Sequence, residues 1–468
     1  MSNIVSKTVD TSSEYILLSA LITSDRMEFS TEISGVTSEF IIHEHIEKPY
    51  LTMYFQFLDQ INIVQTVDFQ GGEKLTIKLQ QTEEVDKGTE IVKEFVIDKI
   101  SSSVKTDERS ELVTLHCTEY HMFESVVQNV NKCYNGPPTN IIKNIVTSYT
   151  NKKVVIDGAD SVNDMKVIIP NLNPMKAAMW LKERSSTTLG LPFFLFSPLG
   201  VDNLVLRSLQ EMLSQPVENI TTPYIHAPSL MQTSGIAKYY AIQDYRYESS
   251  ENLTRLIQAG MVNATYSFYD VHQGIPETLN FKADEMFNVL SSLNLLGGEN
   301  KRYNYAPEYK IKDKKISDYS SHRISKISSS GAYRGRYNAE FRSYGDETLG
   351  GDHNKIITSE AVKGFMTKTP LIITVKGREF ITGNNNFTIG KSIRIIFLDT
   401  DSTQNKTASS RKDLKKSGDY IIAGAKHIFS NEQVTTELLC GKIASLGEEI
   451  ELWWINFMET TLDGLLES

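Results

Sequence analysis

Two histidines flank a glutamate in the run "EFIIHEHIE", residues 39–47. Imidazoles and carboxylates are common zinc ligands, and a zinc-protease helix sets two histidines four residues apart so that both reach one ion. Here His43 and His45 are only two apart. Their neighbours alternate as in a strand: Phe40, Ile42 and Ile46 fall on one face, and Glu39, His43, His45 and Glu47 on the other. At about 3.3 Å per residue the two imidazoles stand roughly 7 Å apart on a strand. They could pinch a metal only with a third ligand from elsewhere, and no neighbour supplies one. The expectation is a pair of solvated strand histidines, with no metal and no cofactor. Glu44 breaks the pattern, because it falls on the apolar face.

Other catalytic signatures are absent from the sequence: there is no GxSxG, GxxxxGK[ST], HExxH or EF-hand loop. Cys117, Cys133 and Cys440 are too widely spaced for a disulfide framework or a CxxC pair, and suit a reducing cytoplasm. Cys117 and Cys133 read as small buried hydrophobes. Glu83-Glu84 and Glu448-Glu449 read as solvated surface rather than an acid/base couple. No catalytic residue is assigned, and the chain is not expected to be an enzyme.

The elements that carry these residues are mostly strands. "LTMYFQFLD" sets Leu51, Met53, Phe55 and Phe57 on one face, "KLTIKLQ" sets Leu75, Ile77 and Leu79, and "LVTLHC" sets Val113, Leu115 and Cys117. "FQGGEK" supplies a Gly71-Gly72 turn. Near Tyr120 the character changes. Thr139 or Asn140 offers a helix start before Ile141, Ile142, Ile145 and Val146. Asn173 can cap a second helix with Pro174 at its first position. "LPFFLFSPLGVDNLVLRSL" reads as strand, turn at Pro198–Gly200, strand; its apolar core is too short to span a bilayer. After Gly235 strands return, with a hairpin around Gly274. "TSEAVKGFMTK" reads as a short helix capped by Thr358 or Ser359. Four more strands follow, interrupted by the polar segment "TDSTQNKTASSRKDLKKSG". The last 21 residues predict an amphipathic helix, with Trp453, Trp454, Phe457 and Leu465 on one side and carboxylates on the rest. An acidic polar face disfavours a membrane surface, so these four residues are candidates for docking on a partner protein, with packing onto their own chain as the alternative.

With 468 residues the chain is long enough for about three domains. The opening "MSNIVSKTVD" lacks a basic region followed by an apolar core, so no signal peptide is expected. Net charge is −10, and residues 1–118 carry all of it, with 10 basic against 20 acidic residues. Such a segment repels nucleic acid and suits a surface along which DNA slides without sticking. Residues 301–336 are the opposite, with ten basic and three acidic residues and several tyrosines. They could grip nucleic acid, but read rather as a loop, or as a patch that meets the acidic segment of a neighbouring copy.

Taken in order, several stretches resemble the central baseplate hub protein of T-even-like contractile-tailed phages. "SEFIIHEHIEKPYLTMYFQFLDQINIVQTVDFQGGEKLTIKL" is similar to that family's first domain. "NLNPMKAAMWLKERS" with "GVDNLVLRSL" is similar to its helix-and-hairpin domain. "LIITVKGREFITGNNNFTIGKSIRIIFLD" with "SGDYIIAGAKHIFSNEQVTTELLCGKI" is similar to its second barrel, a pattern that recurs in type VI secretion spike proteins. The resemblance implies a mainly β fold with α+β insertions: two tail-tube-like β-barrels plus a helix-and-hairpin domain, assembled as a trimeric ring. The expected division is 1–118 for the first, acidic barrel and 119–234 for the α+β domain. Residues 235–298 and 370–446 then form the second barrel, 299–369 a basic insertion and 447–468 the C-terminal helix. The implied job is a structural hub and symmetry adapter in the virion tail baseplate, assembled in the host cytoplasm. It joins the hexameric tail tube to the trimeric central spike and touches other baseplate proteins. Genome DNA passes through the lumen without specific binding, and no stable membrane association is implied. Two other readings stand beside it: a tail-associated peptidoglycan hydrolase built from scattered carboxylates, and the hub of a tailocin or secretion-type machine.

Overall fold

The computed structural model describes residues 15–26, 29–81, 90–107, 109–161, 165–219, 222–226, 240–247, 252–270, 276–293, 302–303, 310–319, 323–328, 351–368, 370–377, 389–398, 413, 416–442 and 444–445. The expected C-terminal helix, with Trp453, Trp454, Phe457 and Leu465, lies outside these residues, as does the hairpin tip at Gly274.

The first half is built from β1 (Tyr15–Thr23), β2 (Thr37–His45), β3 (Thr52–Asp59), β4 (Lys74–Gln81), β5 (Ile91–Asp107) and β6 (Ser110–Glu119). All neighbours are antiparallel, in the order β2-β3-β6-β5-β4-β1. The alternation read from the sequence is the alternation of burial. Leu51, Met53, Phe55, Phe57, Leu75, Ile77, Leu79, Val113, Leu115 and Cys117 all face one core with Phe40 and Ile42. Because side chains alternate with period two, a one-residue slip of any strand would turn this set to solvent, so the register is strongly specified. Gly71 and Gly72 enter β4 at φ 89° and 96°, a left-handed conformation that disfavours residues with a Cβ.

The middle part includes α1 (Pro138–Tyr149), which begins one residue before the earlier of the two expected starts. Then come β7 (Val154–Asp157), α2 (Pro174–Lys182), β8 (Phe193–Phe196) and β9 (Leu204–Ser208). Asn173 caps α2 as expected, its Oδ1 accepting the Lys176 N–H at 2.8 Å. β8 and β9 form a hairpin, and β9 runs parallel to β7. Strand β8 is buried on both faces, which is why it reads as a continuous apolar run. Phe193 and Leu195 pack under α1 and α2, whereas Phe194 and Phe196 enter the core of the second half. Leu199, at the hairpin turn, packs into the core of the first half. One short stretch therefore touches all three cores. Cys133 departs from expectation: it opens a four-residue strand, Cys133–Gly136, and is exposed, while Cys117 and Cys440 are buried.

The second half contains β10 (Tyr224–His226), β11 (Asp244–Tyr247), β12 (Asn263–Asp270), β13 (Pro276–Lys282) and β14 (Arg323–Ser328). Helix α3 (Gly351–Met366) follows, then β15 (Leu371–Lys376), β16 (Ser392–Phe397), β17 (Gly418–Ser430) and β18 (Gln433–Gly441). The hairpin β12–β13 forms as read, but its third strand is β14, from the basic segment, and the three make a separate sheet. Helix α3 begins well before Thr358. Burial of Ile357, Ala361, Val362 and Phe365 at helical spacing outweighs the capping chemistry of Thr358 and Ser359.

Strand β17 joins the halves. One edge pairs with β18 over Ile421–Ser430. The other edge pairs first with β16, over Gly418–Ile421, and then with β2, over Gly424–Ser430. A register shift between Ile422 and Gly424 marks the hand-over. The expected pair of closed barrels is not what the strands form: among the described residues no pairing closes either half. The second edge of β2 is taken by β17, so the sheet continues into the other half instead of returning to β1. The order runs β11-β15-β18-β17-β2-β3-β6-β5-β4-β1. Strand β1 reaches the seam only at its start, where the Tyr15 N–H donates to the Glu432 carbonyl at 3.1 Å and the Tyr15 ring packs edge-on against Phe40 and Phe429.

Gly424 sits where β17 meets β2. A Cβ there would lie 2.9 Å from the His45 ring and 3.1 Å from the Glu44 carbonyl. Gly424→Val therefore wedges the ladder open, and should cost about 1–3 kcal/mol of stability, read from denaturant unfolding. A variant as stable as the parent would show that the ladder is not closely packed at this point.

Candidate functional site

The unusual chemistry of this chain lies where its three parts meet. Glu44 points inward from β2, and its carboxylate is buried. One oxygen accepts from His427 Nε2 of β17 at 3.0 Å. The other accepts the Leu199 N–H of the middle hairpin at 2.8 Å. On its far side His427 Nδ1 lies 3.0 Å from the Thr436 hydroxyl of β18. The first half, the second half and the middle part thus share one carboxylate. This accounts for the glutamate on the apolar face of "EFIIHEHIE".

The order Thr436–His427–Glu44 has the spacing of a nucleophile, base and orienting acid. Thr436 and His427 are both 0% exposed, so no substrate reaches the hydroxyl in this conformation. The arrangement works instead as a satisfied buried network, which fixes register because half of it cannot be broken cheaply.

Two further joints repeat the theme. Glu119, at the end of β6, accepts the Leu51 N–H at 3.0 Å and the Ser197 hydroxyl at 2.7 Å. Its other oxygen is 3.3 Å from Lys152 Nζ and 3.7 Å from His121 Nδ1. His121 Nε2 donates to the Pro49 carbonyl at 2.7 Å. Lys93, buried on β5, donates to the Pro198 and Val201 carbonyls at 3.1 and 2.6 Å, gripping the hairpin turn. Burial alone would push the Glu119 carboxyl up. His121, Lys93, Lys152 and the Leu51 N–H outweigh it and hold the pKa down at about 2. Burial pushes the His121 imidazole down. At the third joint, buried Lys182 of α2 pairs with Glu47 and with Glu183, each at 2.6 Å. Lys363 of α3 reaches Glu183 at 3.1 Å and Glu47 at 3.8 Å.

His43 and His45 lie on the opposite, outer face of the seam. They line an open groove with Glu47, Lys48, Lys426 and Glu437. A row of polar side chains crosses six strands there. Glu437 bonds Lys426 at 3.1 Å, Lys426 stands opposite His43, and His43 packs on Tyr54 at 6.0 Å. Tyr54 then packs on His116 at 5.1 Å, and His116 Nδ1 lies 3.1 Å from Asp98. Burial, with Lys426 and Lys48 beside it, pushes the His43 pKa down. Burial does the same for His45, whose Nδ1 accepts the Glu47 N–H at 3.0 Å. Among the described residues, no three His, Cys, Asp or Glu side chains converge as a metal site would require. His43 is a half-buried member of a cross-strand row, and half-buried His45 lies beside it in the groove. His427, Glu119, Lys93 and Lys182 left no local trace in the sequence, since their partners are distant in the chain.

No protein-family model and no curated protein matches this sequence. Solved structures do match. The tail protein from Neisseria meningitidis MC58 is similar over 92% of this chain and 97% of its own, at 12% identity and a TM-score of 0.50. The 43 kDa tail protein of prophage MuSo2 from Shewanella oneidensis covers 92% and 98%, at 9% identity and 0.49. A Francisella PdpA-VgrG complex, lidded, covers 92% of this chain and 53% of its matching chain, at 10% identity and 0.43. At this level the likeness to the Neisseria protein is one of fold: this chain shares the mainly β fold of that tail protein along nearly its whole length.

Glu44→Ala removes one acceptor shared by two buried donors, and each stranded donor costs about 1–3 kcal/mol. It should destabilise the protein far more than His43→Ala on the same strand, measured by denaturant unfolding; equal effects would contradict the joint. Glu119 supplies a pH signature. Its folded-state pKa is depressed, so its contribution is complete above the ordinary carboxylate range and is lost as pH falls toward about 2. Thermal unfolding scanned downward from pH 5 should show a loss of stability that Glu119→Gln, already destabilised at pH 7, shows less steeply. Parallel pH profiles would overturn this assignment.

Proposed function

We propose that this chain is the structural hub of a contractile-tail baseplate, a non-catalytic homotrimer that adapts the hexameric tail tube to the trimeric central spike. In this reading the ring lines the conduit for genome DNA, contacts other baseplate proteins and belongs to the virion tail after assembly in the host cytoplasm. It takes no cofactor.

The observation that carries the proposal is the β2–β17 ladder. It turns two β-rich halves into sectors of one sheet, held at a fixed angle by buried joints. Three copies of such a chain offer six sheet sectors in a closed ring, which is the geometry needed to meet a sixfold partner on one side and a threefold partner on the other. The full-length likeness of fold to a tail protein supports the same reading. A tailocin or secretion-type hub keeps this architecture and differs only in what it delivers.

Light scattering coupled to size exclusion tests the assembly. The expected result is a species of three chain masses at micromolar concentration. A monomer across the accessible range would contradict the proposal, and a zymogram on peptidoglycan would then test the hydrolase reading.

A further inference from the structure

Within the basic segment, Lys310–Ile311 and Lys314–Lys315 pair as a short antiparallel hairpin. Its tip is Lys312-Asp313, both left-handed at φ 50° and 61°. Every residue from Lys310 to Lys315 is exposed, including Ile311 at 48%. Four lysines and one aspartate thus stand on a projection with an apolar residue among them. Among the described residues, none of these lysines is ion-paired to a carboxylate of its own chain.

The projection is rigidly mounted. Immediately after it, Ile316 and Ser317 are buried. Ser317 donates to Asp284 at 2.5 Å, and the Asn263 side-chain amide donates to the Ser317 carbonyl and, at 2.9 Å, to the Tyr319 carbonyl. The Tyr319 hydroxyl donates to the Ile311 carbonyl at 2.6 Å, and Lys314 lies over the Tyr319 ring at 4.9 Å. A prong held in this way loses little freedom on docking.

We propose that the Lys310–Lys315 prong docks on the acidic first half of a second copy of this chain. Charge complementarity selects that occupant. Residues 1–118 carry 10 basic and 20 acidic side chains, the remainder of the chain is balanced, and opposite patches steer and register association. Exposed Asp68, Glu90, Glu94, Asp98 and Asp107 belong to the receiving half. The contact deepens the homotrimer reading and rests on it: it is head-to-tail, as a ring requires.

The test uses full-length protein. Isotope-labelled and unlabelled copies are mixed, joined by zero-length carbodiimide cross-linking and mapped by mass spectrometry. Cross-links between copies should run from the prong lysines to carboxylates within residues 1–118. Lys312→Glu/Lys315→Glu, at exposed positions, should keep the thermal midpoint, lose those cross-links and weaken association roughly tenfold or more. Cross-links to carboxylates elsewhere, or an assembly indifferent to the charge reversal, would overturn the docking contact and leave the homotrimer standing. A parent protein that never associates would overturn both.

Discussion

Everything in this fold turns on one carboxylate that receives a hydrogen bond from each neighbouring part. Glu44 belongs to the first half, His427 to the second and the Leu199 amide to the middle hairpin. A buried carboxylate without partners is costly, and each partner here is available only in the assembled arrangement. The halves can therefore not rotate about the β2–β17 seam, nor the hairpin withdraw, without stranding a buried polar group. Apolar packing supplies most of the driving force, and hydrogen bonds add direction to it. The three polar joints at Glu44, Glu119 and Lys182 supply the angle.

The hairpin from Leu191 to Leu199 makes the complementary apolar contribution. Its alternating residues feed two cores and its turn feeds a third. Strand pairing alone leaves twist between the two sectors free, and this wedge restricts it. Wedge and joints meet at Leu199, whose side chain fills the first core while its amide bonds Glu44.

Much of this was legible in the sequence, for a local reason. Inward positions such as Leu51, Met53, Phe55 and Phe57 follow a period of two, and Asn173-Pro174 announces a helix start in adjacent residues. The joint was legible only as an anomaly, a glutamate on an apolar face. Glu44 and His427 are 383 residues apart and Glu44 and Leu199 are 155 apart. No periodicity or motif spans such distances. Among the described residues neither half closes on itself, and the sequence could not show this: alternation reports which face of a strand is buried, and is silent about which strand takes its free edge. The histidines that drew attention first lie on the outer face, where their spacing reflects strand geometry.

If the seam makes two sheet sectors into one rigid unit for a symmetry adapter, rotational symmetry is the most direct readout. Electron-microscopy class averages of the purified assembly, viewed end-on, should show a closed ring with threefold symmetry and six similar lobes around a central opening. A particle with twofold symmetry, or none, would contradict the account.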